Sequence, residues 1–466
     1  MQGHLRRLRG PVGVLVLLCV AGLGLRIYLG WWLGALGDLE CYQTWALDPG
    51  ELIPPHPDYQ IQANNYPPIF PSILRLLRWT HRALDLPGDF RVPMQLAPEV
   101  APFRPIILLI KMPAILSDLV SAVLIFLIGV RLRQVWVGCG LAAMYLFNPA
   151  ILYDGAYYGQ TDTFLLMFLI AAVYAWLTQR PILLGAMLIT APLVKAQAVF
   201  FLPVMGLAIL GEWRTVWRAQ VGRLLLGAGG ALAAAVALAW LTGQLIQFKN
   251  GYTLIIALYP RVTSYAFNLW WLLTRPWHKT PYNRDFPLDT VAVFGPIAYR
   301  MIGLALFAVG MLLILWRLHR ARYTPYALVL AATAAGWAFF NLPTEMHERY
   351  SVPAAGLMCL LAYWDRRWLA WAGLASVTVT LNIAYVVPLF LNNRWVTAVT
   401  WFLRPERHME WTIFAVIHVL MLPLVLQALW RQGSGAAEPT PGAAGGFPLA
   451  SVEAPERSSA GEPIST

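Results

Sequence analysis

The chain has 466 residues, of which 59% are hydrophobic and only 12% charged, with a mean hydropathy of +0.58. A soluble domain carries about a quarter charged residues, so a water-soluble globular enzyme is excluded. The net charge of +11 implies no nucleic-acid partner, because the basic residues sit mostly in short segments between apolar runs.

The first apolar run, 11–34, follows "HLRRLRG" and has no small-residue cleavage site behind it, so it reads as a retained span and not as a removed signal peptide. Further runs fall at 106–130, 135–150, 162–178, 182–195, 197–211, 224–243, 297–316, 324–342, 350–364, 368–391 and 411–430. The pair between 182 and 211 is either two spans or one broken helix. Apolar runs of about 20 residues cross roughly 30 Å of hydrocarbon, where a helix satisfies its own backbone. The expected fold is all-α: a polytopic, multi-pass membrane protein of about twelve transmembrane helices forming one domain over 1–431. That count places both termini on one side. Arg6, Arg7, Arg9, Arg131, Arg133, Arg214, Arg218, Arg317, Arg320, Arg322, Arg366 and Arg367 then share that side, which makes it cytoplasmic.

The opposite, external side receives two long segments, 35–105 and 244–296. The first is far too long for a simple connector. Its stretch "PPIFPSILRLLRWTHRAL" alternates apolar and basic positions at helical spacing, which predicts a helix lying in the membrane interface. The second contains "YPRVTSYAFNLWWLLTRPWHK", again aromatic and basic. Beyond Arg431, the tail 432–466 is Ala, Gly, Pro and Ser with hardly a large apolar residue, and is expected to be disordered. Cys19, Cys41, Cys139 and Cys359 form no CxxC pair, so neither a disulfide framework nor a zinc site is indicated. No internal repeat is visible.

Polar residues cluster on the external side. Asp38 and Glu40 stand in "GDLECYQTWA", and Asp118 follows Lys111 in "KMPAILSDLVSA". Asp154, Gln160 and Asp162 lie in "FNPAILYDGAYYGQTDTF", and Lys195 and Gln197 in "APLVKAQAVFFLPV". Glu345, His347, Glu348 and Arg349 end the sequence of motifs in "NLPTEMHERYSVPA". A charge inserted mid-bilayer costs roughly 2.5–3.5 kcal/mol, so such residues usually line a cavity or a pathway. One polar cavity opening outward accounts for all of them. Plainer readings stand beside it. Asp38 suits a solvated loop acid, Asp118 with Lys111 a structural ion pair, and Asp154 or Asp162 a helix cap. Lys195 suits the counter-ion of a buried carboxylate, and "HERY" an interfacial anchor. Gly-rich phosphate loops and HExxH motifs are absent.

Taken in order, "GDLECYQTWA", "NNYPPIFPSI", "NPAILYDGAYYGQTD", "YPRVTSYAFNLWWLL" and "EMHERYSVP" resemble the GT-C superfamily of membrane glycosyltransferases. The likeness is greatest to the branch of dolichyl-phosphate-glucose-dependent glucosyltransferases and its bacterial relatives. That branch opens its first external loop with a "GDFEAQRHW"-like stretch, follows with "DYPP", and ends with "HEK" at a late helix mouth. Here "NYPP" at Asn65–Pro68 lacks the aspartate, and "HER" at His347–Arg349 has arginine for lysine. The match runs over about residues 30–355.

The resemblance implies a GT-C-like fold and an inverting hexosyltransferase. The donor would be a polyprenyl-phosphate-linked sugar held partly in the membrane, and the acceptor a lipid-linked or other extracytoplasmic molecule. By motif position Asp38 matches the general base, with Glu40 beside it, and His347 and Arg349 would hold the phosphate. Lys195 and Arg261 are further candidates for the phosphate charge. Tyr66, Trp45 and Trp270 are candidates for stacking on sugar, and Asp154, Gln160, Asp162 and Glu348 for lining the substrate site. No cofactor is clearly indicated. Some GT-C enzymes use a divalent metal, for which Asp38 and Asp154 could serve. A transporter or flippase of lipid-linked sugars is the rival reading, although the long amphipathic first loop is hard to explain on it. The absence of an N-x-S/T sequon and a composition rich in Ala, Leu, Arg and Gly lean towards a prokaryotic plasma membrane.

Overall fold

The computed structural model describes residues 2–31, 34, 36–47, 64–91, 101–254, 260–274, 286–390 and 408–432. The tail foreseen as disordered lies outside the described residues but for its first position, as do parts of both long external segments.

The chain starts with α1 (Gln2–Gly30), α2 (Leu36–Trp45), α3 (Ile69–Ala83) and α4 (Arg104–Arg131). Next come α5 (Val135–Leu146) and, after a 44° bend, a continuation over Pro149–Tyr158 that is π-helical from Leu152 onward. Asn148 starts that continuation, its side chain accepting from Ala150 N at 2.9 Å just ahead of the N1 proline. The chain proceeds through α6 (Asp162–Leu177), α7 (Pro181–Val194), a 3-10 turn at Ala196–Phe200, α8 (Leu202–Gly211), α9 (Val221–Leu241), α10 (Gln247–Thr253) and α11 (Leu269–Thr274). It ends with α12 (Tyr299–Arg320), α13 (Pro325–Asn341), α14 (Val352–Leu360), α15 (Arg367–Phe390) and α16 (His408–Gln432). Among the described residues, four short strands interrupt the helices. β1 (Thr263–Ser264) pairs in parallel with β4 (Met346–His347), and β2 (Ala292–Phe294) pairs antiparallel with β3 (Ile297–Ala298).

Among the described residues, six helices (α1, α4, α9, α12, α15 and α16) are long and apolar enough to cross a membrane. The bent pair of α5 and its continuation would make seven. Other runs foreseen as spans form shorter apolar helices, including α6, α7 and the two stretches Ala196–Gly211 and Val352–Tyr363. The run between 182 and 211 is broken: α7 ends at Val194, and Lys195 adopts an extended φ of −153° and ψ of 128° before the 3-10 turn.

Burial sorts the helices into an inner and an outer set. α6 and α13 are buried on nearly every face, as expected for helices apolar all round. α1, α9 and α12 instead present exposed Leu17, Val20, Leu225, Leu226, Leu304 and Leu312, the side chains that would meet lipid. Glycines allow the closest helix approach. Gly185 on α7 lies against the backbone of Leu224, and Gly227 on α9 against that of Ile182, leaving no room for a Cβ.

The predicted interfacial helix is α3, and its orientation is informative. Arg75 and Arg78 are buried, while Leu76 and Trp79 are exposed. The buried guanidiniums reach carbonyls left open just past the end of α2: Arg75 donates to Leu47 O at 2.5 Å and Arg78 to Ala46 O at 3.5 Å. Arg75 and Arg78 thus face protein, while Leu76 and Trp79 face outward.

Candidate functional site

The loops and helix ends at one end of the bundle line a narrow recess. Its wall is built from four places in the sequence. α2 supplies Asp38, Cys41, Tyr42 and Trp45, which at spacings i, i+3, i+4 and i+7 share one helix face. The stretch after it supplies Asn65, Tyr66 and Pro67. Lys195 and Ala196 come from the break after α7, and His347, Arg349 and Tyr350 from the segment joining α13 to α14.

Asp38 stands in the first turn of α2, where the helix dipole favours an anion. One of its oxygens, Oδ2, accepts from Gln160 Nε2 at 2.5 Å. Gln160 is oriented in turn, since Tyr42 OH donates to its Oε1 at 2.9 Å. The Tyr66 hydroxyl lies 3.1 Å from that of Tyr42 and accepts from Thr161 Oγ1 at 3.4 Å. The π-helical turn ends at Gly159, whose φ of +88° lets the chain turn back and present Gln160 to α2.

The cations of the wall have buried partners behind them. Lys195 Nζ lies 2.7 Å from Asp162 Oδ2, and Arg349 Nε is 3.7 Å from the same oxygen. Arg349 Nη1 donates to Glu348 Oε1 at 2.8 Å, and Tyr158 OH donates to that oxygen at 3.1 Å. His347 Nδ1 is 3.7 Å from Glu348 Oε2. Burial alone would raise the Glu348 carboxyl, but Arg349 and His347 reverse that and bring it down to about 2. Burial lowers the His347 imidazole against the pull of Glu348, which favours its neutral form. Of the acids, Asp38 is the one on the wall among the described residues. The aromatic rings complete the setting: Lys195 Nζ is 5.7 Å from the centre of the Tyr66 ring and 5.4 Å from that of Tyr350.

Several expected residues stand elsewhere. Glu40 is buried but off the wall, because two positions along a helix point away from Asp38. Arg261 donates to Phe286 O at 2.6 Å and does not line the recess. Trp270 is buried against Tyr299 and donates to Leu342 O at 2.8 Å. Asp154 is wholly buried in the π-helical turn, and neither carboxylate oxygen has a hydrogen-bond partner among the described residues. Neither Asp154 nor Asp162 caps α6. The cap position is Thr161, which makes no capping bond, and Asp162 pairs with Lys195 instead.

The proposed Lys111–Asp118 pair is absent too. Seven residues along a helix separate two groups by about 10 Å. Asp118 binds Arg26 Nε at 2.8 Å, and Lys111 donates to Tyr157 O at 2.7 Å. Among the described residues, no three His, Cys, Asp or Glu gather where they could share a metal ion.

Sequence reasoning missed Cys41, Tyr42, Asn65 and Tyr350 on the wall and Tyr158 behind it. Helical spacing from Asp38 would have found the first two, had 37–46 been read as helix and not as loop. No protein-family model matches the chain, and no curated protein matches it at a significant level.

Proposed function

We propose that the chain is a membrane-embedded inverting glycosyltransferase of GT-C type. It would move a hexose from a polyprenyl-phosphate donor to an acceptor at the external face of the membrane. The observation that carries this reading is the recess wall itself, with one carboxylate, Asp38, and the cations Lys195 and Arg349 on a shared surface.

The chemistry matches those groups. The acceptor hydroxyl gives its proton to Asp38 as its oxygen forms a bond to the anomeric carbon. On the opposite side of that carbon, the bond to the phosphate oxygen breaks and the electron pair leaves with the phosphate. Negative charge grows on the departing group, and pre-placed donors stabilise it most where they need no reorganisation. Lys195 and Arg349 meet that condition, because Asp162 and Glu348 hold them from behind. Gln160 occupies one oxygen of Asp38, which leaves the other for the proton. Trp45, Tyr66 and Tyr350 supply aromatic faces suited to a sugar ring.

The test is transfer by purified, lipid-reconstituted protein from a synthetic polyprenyl-phosphate hexose to a panel of lipid-linked acceptors. Product of inverted anomeric configuration supports the reading. Movement of the intact donor between leaflets without transfer would favour the flippase reading and contradict this one.

A further inference from the structure

The segment that delivers His347 and Arg349 to the recess begins at Glu345, whose backbone φ is +66°, a region that residues other than glycine rarely adopt. Such a conformation persists only where the surroundings over-determine it. The surroundings here are Arg300, one residue into α12, and Asp289, in the loop before β2. Arg300 Nε donates to Asp289 Oδ2 at 2.7 Å, and its Nη2 donates to Asp289 Oδ1 at 3.1 Å and to Glu345 Oε1 at 2.5 Å. Asp289 is fully buried and also accepts from Thr344 Oγ1 at 3.0 Å.

Backbone bonds tie the same three segments together. Glu345 N donates to Arg261 O at 3.0 Å, Asp289 N to Pro260 O at 3.1 Å, and Arg300 N to Asp289 O at 2.9 Å. Directly after Glu345, β4 pairs with β1, with Ser264 opposite His347. Asp289, Arg300 and Glu345 are all absent from the recess wall.

We infer that Asp289, Arg300 and Glu345 form a positioning clamp for the His347–Arg349 segment. The planar guanidinium fork of Arg300 grips two carboxylates at once, one on each side of the junction, which a lysine point charge cannot do. Fixing Glu345 sets the direction in which β4 leaves, and so where His347 and Arg349 present their nitrogens. The second half of this statement rests on the recess being the transfer site. The first half does not.

The two halves are tested together by hydrogen exchange and transfer kinetics on the full-length protein in lipid. In Arg300→Met, amides of 342–351 should exchange about tenfold faster while those of α6 and α13 stay as in wild type. The same variant should lose kcat by on the order of 10²-fold, with KM changed much less, because small misplacements of stabilising groups act on the transition state. Arg300→Lys, which keeps the charge, should fall between the two. Unchanged exchange in 342–351 overturns the clamp whatever the protein catalyses. Faster local exchange with undiminished kcat overturns the aiming role. Should the wild type transfer no sugar, the exchange data still decide the clamp, and it is the glycosyl-transfer reading that falls.

Discussion

Arg26–Asp118 and Arg349–Glu348 are both buried arginine–carboxylate pairs with a 2.8 Å contact, yet their settings differ. The first is sealed inside the spans. Arg26 also donates to Leu146 O at 2.9 Å and Gly22 O at 3.2 Å, and Tyr145 OH donates to Asp118 at 3.3 Å, so α1, α4 and α5 are joined through it. The second sits at a helix mouth with its cation on the wall of a recess. A sealed pair can only hold helices together. A pair with its cation on an open wall holds that cation ready for an incoming anion, and the carboxylate behind it becomes support.

That contrast can be broken at either end. The largest effect is expected at Asp38, on the same recess wall as Lys195 and Arg349: Asp38→Asn should lower the initial rate of sugar transfer by about 10²–10⁴-fold, with an unchanged thermal midpoint. Next comes the sealed pair. Asp118→Asn strands a buried guanidinium and should cost about 3–5 kcal/mol in denaturant titrations, while transfer per folded molecule stays near wild type. Arg349→Lys keeps the charge and loses the planar fork. Its kcat should drop by about 10²-fold with little change in unfolding, the reverse of the Asp118 result. Gln160→Leu removes one bond to the Asp38 carboxylate and should cost about tenfold in kcat, measured alongside Asp38→Asn.

The smallest effect is a pH slope in the clamp. Burial and the neighbouring Asp289 carboxylate push Glu345 up to about 8, against the pull of Arg300. A carboxyl raised in the folded state adds stability at low pH, and that stability is lost as pH climbs from the unfolded value towards about 8. Thermal midpoints read from about pH 5 to about pH 9 should therefore fall more for wild type than for Glu345→Gln.

The helical, membrane-embedded character was legible from apolar run length, since hydrocarbon leaves a chain few other options. The polar motifs were legible as a set, and residues as distant as Asp38, Lys195 and His347 do share one recess. Partner choice was not legible. Lys111 lies on the same helix as Asp118, but the pairing went to Arg26 on α1, because proximity in sequence does not bring side chains together across two helical turns. Arg261 and Trp270 looked like ligands of a site because they are basic and aromatic. Their side chains donate to the backbone carbonyls of Phe286 and Leu342, a role their residue types do not announce. Nor could composition show that α3 turns Arg75 and Arg78 inward, because the carbonyls that attract them belong to Leu47 and Ala46 on the far side of a long insertion.

The most direct measurement is a structure of the protein in lipid with a non-transferable polyprenyl-phosphonate hexose bound. The phosphonate should lie against Lys195 and Arg349, with the anomeric carbon facing Asp38. Density for the phosphonate away from that wall, or a sugar ring turned so that Asp38 cannot reach the incoming hydroxyl, would contradict it.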